Sequence, residues 1–295
     1  MRTCENANAK INLYLDITGK RADGYHDIVT LMQSVSLSDT LTIDASCSEA
    51  TEISLAVEYD GAVGFLADGI PTDGTNLVAR AASKYLDKAK ITAKVNIGIV
   101  KRIPVGAGLG GGSSDAAATL RGLNKIFSAL TESEIMELAA ELGSDVPFCV
   151  DGGLALCEGR GEQITRLTST DSRALVIAIS KSRVSTPAAF RLLDEIYGDF
   201  KNRKPKITID KRRIGQIPLS ELGYNIFEEC TDGAVREALL LKGELMRLGA
   251  KSALMTGSGP AVFGVFDAKC EAESAERILS SMGYATFVSS FIPKL

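Results

Sequence analysis

Apolar and polar positions alternate from Ile11 to Leu15 and again from Thr40 to Ile43, the period of two expected of half-buried strands. The turn-rich Thr18–Gly24 separates these stretches, so strands dominate residues 9–44. After Asp73-Gly74-Thr75-Asn76 the period changes. Leu77, Val78, Ala81, Ala82, Tyr85 and Leu86 recur at helical spacing, with Asn76 placed to cap the helix. Ile91, Ala93, Val95, Ile97 and Ile99 return to alternation and predict a strand, which runs through Lys101–Pro104 into a glycine loop. The alanine-rich Ser113–Leu123 then predicts a helix, with no breaker before Gly122. A further helix begins at Thr131, where Thr-Glu-Ser-Glu has capping-box spacing. It ends near Gly143 as a left-handed cap, and Asp145-Val146-Pro147 leaves it directly.

From about residue 165 the pattern restarts: a strand at Ala174–Ile179, helices at Pro187–Tyr197 and Gly233–Leu248, then strand, helix and strand from Ala261 to Phe291. The expectation is an α+β chain of two domains, residues 1–160 and 161–295. Lys201–Arg213 holds seven basic residues and reads as a solvated loop.

Composition narrows the classes. With 295 residues, 45% apolar, the chain can bury a full core. A formal net charge of −4 gives no general attraction for nucleic acid or an anionic membrane surface, so anionic small molecules must be caught locally. The first ten residues carry Arg2, Glu5 and Lys10, and the longest apolar runs fall far short of the ~20 residues of a membrane span. Six scattered cysteines without a C-x-x-C pair, and a single histidine, read as buried thiols rather than a metal site. A soluble cytoplasmic protein is expected, as monomer or homodimer.

The strongest chemical signal is Pro104-Val105-Gly106-Ala107-Gly108-Leu109-Gly110-Gly111-Gly112-Ser113-Ser114, opening onto a helix. Glycines let backbone N–H groups converge where a side chain would block a phosphate, and the helix N-terminus adds about half a positive charge. The run suits a di- or triphosphate. It contains a literal G-x-G-x-x-G, but four residues separate strand from glycines and no acidic residue ends a following strand, which argues against a dinucleotide fold. No lysine follows in the Walker A position.

The same segment resembles the phosphate-binding motif of the GHMP kinases, P-x-x-x-G-L-G-S/G-S-S. Ala9-Lys10-Ile11-Asn12-Leu13 looks like that family's first motif, and Thr256-Gly-Ser-Gly-Pro-Ala-Val-Phe263 like its third. Thr18–His26 is similar to the segment with which some members recognise a cytidine-diphosphate-linked methylerythritol, and Leu142–Phe148 to the segment of the catalytic aspartate.

The resemblance implies a two-domain fold, with an N-terminal domain like domain 2 of ribosomal protein S5 and a ferredoxin-like C-terminal domain. It implies ATP and Mg2+ as cofactors and a place in non-mevalonate isoprenoid synthesis. Lys10 and Asp145 become the catalytic pair, Asp145 accepting the hydroxyl proton and Lys10 holding it ionised. The glycine loop, Asn76 and Lys101 would hold ATP, and Ser114 could reach Mg2+. Asn12, Tyr25, His26 and Phe190 would hold the acceptor, the rings of Tyr25 and Phe190 stacking on cytosine and His26 reading its edge. Rival readings are a GHMP kinase for homoserine, mevalonate or a sugar, a nucleotide-binding regulator without turnover, and an NAD-dependent oxidoreductase.

Overall fold

Two long strands open the chain, β1 (Arg2–Lys20) and β2 (His26–Cys47), paired antiparallel through a turn in which Gly24 takes φ 85°. Their register slips between Asn8 and Lys10 and between Asn12 and Tyr14, so two irregularities bracket Lys10 and Asn12. Such bulges bend a strand and re-aim its side chains. The coordinates are a computed structural model describing residues 1–60, 69–169, 171–182, 185–200, 203, 206, 223–230 and 232–293.

Beyond them follow β3 (Glu52–Tyr59), α1 (Leu77–Ala89), β4 (Ala93–Lys101), α2 (Gly111–Phe127), α3 (Glu132–Leu142), α4 (Val146–Asp151), β5 (Leu154–Gly159) and β6 (Gln163–Leu167). β2 is shared along its length: its first half pairs with β5 and its second half with β4, beside which β3 runs parallel. Val78, Tyr85, Ile97, Leu120, Leu123 and Phe148 belong to the core between this sheet and its helices. The Thr131–Glu134 capping box is formed. Gly143, expected as a left-handed cap, is extended at φ 171°. Asp145-Val146-Pro147 opens the short helix α4 instead of leaving helical structure, because Pro147 sits in the first turn, where a missing N–H costs nothing.

The second layer contains β7 (Ala174–Ile179), α5 (Thr186–Tyr197), α6 (Gly233–Arg247), β9 (Ser252–Met255), β10 (Ala261–Phe266), α7 (Lys269–Ser281) and β11 (Ala285–Ser290), while β8 (Tyr224–Asn225) lies in this stretch of the chain but joins the first sheet. Its antiparallel sheet runs β11-β7-β10-β9, the ferredoxin-like order. Every residue of β7 is buried, because each face has a cover. Val176 and Ala178 share a core with residues of α6 and α7, while Leu175 and Ile177 join Ile11, Leu31 and Phe263 between the sheets. This continuous inter-sheet core seats the two halves against each other.

β6 still pairs with β5, so a division at residue 160 falls in the turn of a first-sheet hairpin. β8 also returns to pair with β1. The basic stretch Lys201–Arg213 lies outside the described residues except for Arg203 and Lys206, and these are not simply solvated. Arg203 pairs with the buried Asp16 of β1, and the Lys206 amide donates to the same carboxylate at 3.0 Å.

Cys149, Cys157 and Cys230 are buried, with burial pushing the first two thiols up to about 12. Cys4, Cys47 and Cys270 are exposed, which corrects the expectation that all six are buried. No described helix is long and apolar enough to cross a membrane.

Candidate active site

The glycine loop joins β4 to α2 and lines a cavity of about 500 Å³, together with Asn76, Ile99, Lys101 and Ile103. Gly106, Gly108 and Gly110 have φ of 71°, 80° and 71°, a region open to glycine at little cost. A Cβ on Gly108 would overlap the Thr256 carbonyl oxygen, and one on Gly259 would sit 2.5 Å from the Ala107 carbonyl carbon. The two glycine turns thus pack backbone to backbone, and side chains on either would part them. Gly106 and Gly112 face nothing within 4 Å, leaving space for an anion. Gly110 caps α2 without a side chain, so the first amides of the helix are left to a ligand.

Asn76 accepts from the Val78 amide at 2.9 Å and donates to the Pro71 carbonyl at 2.6 Å, fixing one wall of the cavity. Pro104, Val105, Ala107, Leu109 and Ser113 line it as well. Ser114 does not. Its hydroxyl is buried and donates to the Asn8 carbonyl of β1, away from the expected approach to Mg2+, whereas Ser113 lines both cavities of the site.

Lys101 is buried at the cavity floor, not extended toward phosphates. Its Nζ bonds to Asp39 and, at 2.6 Å, to Asp115. Burial opposes the lysine charge, but the two carboxylates outweigh it and hold its pKa above the ordinary value. Burial also pushes the Asp115 carboxyl up to about 7, and its Oδ1 has no hydrogen-bond partner. Asp39 Oδ1 accepts the amides of Arg102 and Ile103 at 2.6 and 2.8 Å. The triad therefore ties the exit of β4 to the first turn of α2 and sets the two ends of the loop. Sequence reading missed both carboxylates; Asp115, one residue past Ser114 on the new helix, was the available signal.

Lys10 and Asp145 meet as expected, with Nζ 3.6 Å from Oδ2. Asp145 is the N-cap of α4, yet its side chain caps no amide, which leaves the carboxylate directed at Lys10. The same Nζ donates to Asn12 Oδ1 at 2.8 Å. Asn12 is itself fixed by Thr30 and Thr256, its Nδ2 donating to Thr30 Oγ1 at 2.8 Å and its amide to Thr256 Oγ1 at 3.0 Å. Asn225 Nδ2 donates to the carbonyls of Met255 and Gly257, both at 2.8 Å, bracing the second glycine turn.

Lys10, Asn12 and Asp145 line a second cavity of about 740 Å³, whose far end holds Tyr25, His26, Arg160, Phe190, Arg191 and Asp194. Gly108, Gly110 and Ser113 line both cavities, and the Lys10 side chain packs against Gly110, so the lysine and its aspartate stand on the acceptor side of this junction. His26 and Phe190 come together as expected, but their rings stack on each other, with centroids 4.8 Å apart. Tyr25 is exposed and stands under the Arg160 guanidinium, 5.3 Å from its ring centroid. Arg160 and Asp194 carried no sequence signal, because their place in the site depends on the packing of β5 and α5 against the β1–β2 turn.

A backbone-built anion cradle opening through a lysine–aspartate pair onto a polar and aromatic cavity defines a small-molecule kinase of the GHMP class. The family models described as GHMP kinases N terminal domain and GHMP kinases C terminal match residues 76–153 and 217–285. A protein of Bacillus cereus named 4-diphosphocytidyl-2-C-methyl-D-erythritol kinase is 40% identical over 90% of this chain and 88% of its own. One of that name from Acetivibrio thermocellus is 37% identical over 97% and 98%. A crystal structure of 4-(cytidine 5'-diphospho)-2C-methyl-D-erythritol kinase superposes with a TM-score of 0.77 at 30% identity, covering 98% of this chain and 99% of that one. A homoserine kinase from Cytophaga hutchinsonii shares the fold, at TM-score 0.68 and 16% identity, covering 99% and 95%. The chain belongs to the 4-diphosphocytidyl-2-C-methyl-D-erythritol kinase family of the GHMP kinases.

Proposed function

We propose that the protein transfers the γ-phosphate of ATP to the 2-hydroxyl of 4-diphosphocytidyl-2-C-methyl-D-erythritol, a step in non-mevalonate isoprenoid synthesis. The observation that carries this reading is the position of Lys10 and Asp145, 3.6 Å apart, where the glycine-lined cavity meets the cavity of Tyr25, His26 and Phe190. ATP lies with its phosphates over Gly106–Ser113 and its γ-phosphate toward Lys10. The acceptor lies with its base at the aromatic end and its hydroxyl at Asp145.

The hydroxyl oxygen then bonds to the γ-phosphorus while the bond to the β–γ bridging oxygen breaks. ADP leaves, and the hydroxyl proton passes to Asp145 and on to solvent. Lys10, with its Nζ 3.6 Å from Asp145, pairs with that carboxylate and faces charge developing on the transferred group. Among the described residues no cluster of three acidic, histidine or cysteine side chains could hold a metal alone. Mg2+ would be held by the ATP phosphates, with Ser113 on the wall shared by the two cavities as the nearby hydroxyl, and would supply neutralisation of phosphate charge.

The test is ADP release with Mg-ATP and, in parallel, the cytidylyl methylerythritol, mevalonate, homoserine and galactose. Turnover with the first alone is expected. Turnover with another acceptor instead discards the cytidine site while leaving the kinase.

A further inference from the structure

Cytosine and uracil share a shape and differ at one edge group: cytosine carries an amine, a donor, where uracil carries a carbonyl, an acceptor. A histidine can distinguish them only if one known nitrogen of its ring is the acceptor. We infer that Asp194, braced by Lys20, keeps the proton of His26 on Nε2 and so presents Nδ1 as an acceptor for the cytosine amine. This rests on the reading of the acceptor as a cytidine nucleotide.

The placement begins with α5. Thr186, Pro187, Phe190, Arg191 and Asp194 line the acceptor cavity, a spacing that gathers them on one face of the helix. Asp194 Oδ1 lies 2.7 Å from His26 Nε2, and its Oδ2 accepts from Lys20 Nζ at 2.7 Å. Burial works against the carboxylate charge, but the bonds from Lys20 and His26 outweigh it and hold the group below its ordinary range.

An ionised carboxylate can only accept, so the hydrogen in the bond to His26 belongs to the ring. In the neutral ring Nδ1 then carries the lone pair, and no described residue bonds to it. The ring cannot easily turn over to exchange the two nitrogens. Phe190 stacks on one face at 4.8 Å, and Phe200 meets it edge-on at 5.6 Å. Asp194 is thus a positioning residue acting through His26, and Lys20 positions Asp194.

His26 is the sole histidine of the chain, so ¹⁵N-histidine labelling of the untagged protein yields the resonances of this ring alone. With the ring neutral, the expected spectrum shows a protonated Nε2 and an unprotonated Nδ1. Adding cytidine diphosphate should shift Nδ1, and uridine diphosphate should leave it in place. Asp194→Asn, whose amide can donate as well as accept, should mix the two tautomers. It should also raise the acceptor KM about tenfold with the KM for ATP and kcat unchanged, and Asp194→Glu should recover part of that loss.

A proton on Nδ1 of the neutral wild-type ring, or a spectrum unmoved by Asp194→Asn, overturns the assignment. So does an Nδ1 that ignores cytidine diphosphate in an enzyme that turns over the cytidylyl acceptor. Failure of the wild-type enzyme to use that acceptor would instead discard the proposed function, which the turnover assay reports separately.

Discussion

The two cavities recognise their ligands by different means. The nucleotide side is built from main chain: the glycine-rich residues 106–112, the free amides of α2, and a second glycine turn pressed against the first. The acceptor side is built from side chains that come from β1, β2, α5 and the turns beside them, including the one that leads into α4. A phosphate needs only converging N–H dipoles, which a single contiguous segment can supply. A base and a reacting hydroxyl need donors, acceptors and rings at set distances, and no one segment can reach all of these positions. The first kind of site fails when a side chain is added, the second when one is removed.

The comparison can be broken most sharply at the junction. Asp145→Asn should lower kcat by about 10²–10⁴, the usual worth of a positioned base, with ATP affinity nearly unchanged. Retained turnover would take Asp145 out of the reaction.

On the main-chain side, Gly108→Ala places a methyl against the Thr256 carbonyl at a residue with φ 80°. The backbone strain alone is about 1–2 kcal/mol. The ATP KM should rise at least about tenfold and the thermal midpoint should fall, whereas a variant with wild-type ATP binding would show that the turns need not touch. On the side-chain side, His26→Ala should raise the acceptor KM about tenfold or more while leaving that of ATP alone. An unchanged acceptor KM would refute base reading by this ring.

Beneath the cradle, at Asp115, the expected effect is on stability and its pH dependence and least on turnover. Its carboxyl is raised from 3.8 to about 7 by burial, so the folded protein keeps a proton that the unfolded chain has already released. That contribution to stability is present at low pH and fades as pH rises toward 7. Asp115→Asn is neutral throughout and should flatten the change in thermal midpoint between about pH 5 and about pH 8. If the pH dependence persists in the variant, another group carries it.

Legibility in the sequence followed the same division. The strand, glycine loop and helix could be read at residues 91–123 because period and glycine content are local, and the loop residues do line the expected cavity. Lys10 and Asp145 could be named only by motif resemblance, since 134 positions separate residues that the fold brings to 3.6 Å. Ser114, expected near Mg2+, turns its hydroxyl to the Asn8 carbonyl, a direction that its place at a helix start leaves open in the sequence. Arg160 and Asp194 were invisible, each being an ordinary surface residue until β5 and α5 close on the β1–β2 turn.

What the sequence determined by itself is the set of elements with regular period and the glycine cradle, because side-chain alternation and glycine's freedom at positive φ act within a few residues. Only the tertiary structure decided that Lys101 is a buried strut between Asp39 and Asp115, that Asn12 and Thr256 fix Lys10, and that Asp194 holds His26. Those bonds form between distant segments brought together by burial of Ile11, Leu31, Leu175, Ile177 and Phe263 between the sheets, and hydrophobic burial is set by area rather than by order along the chain.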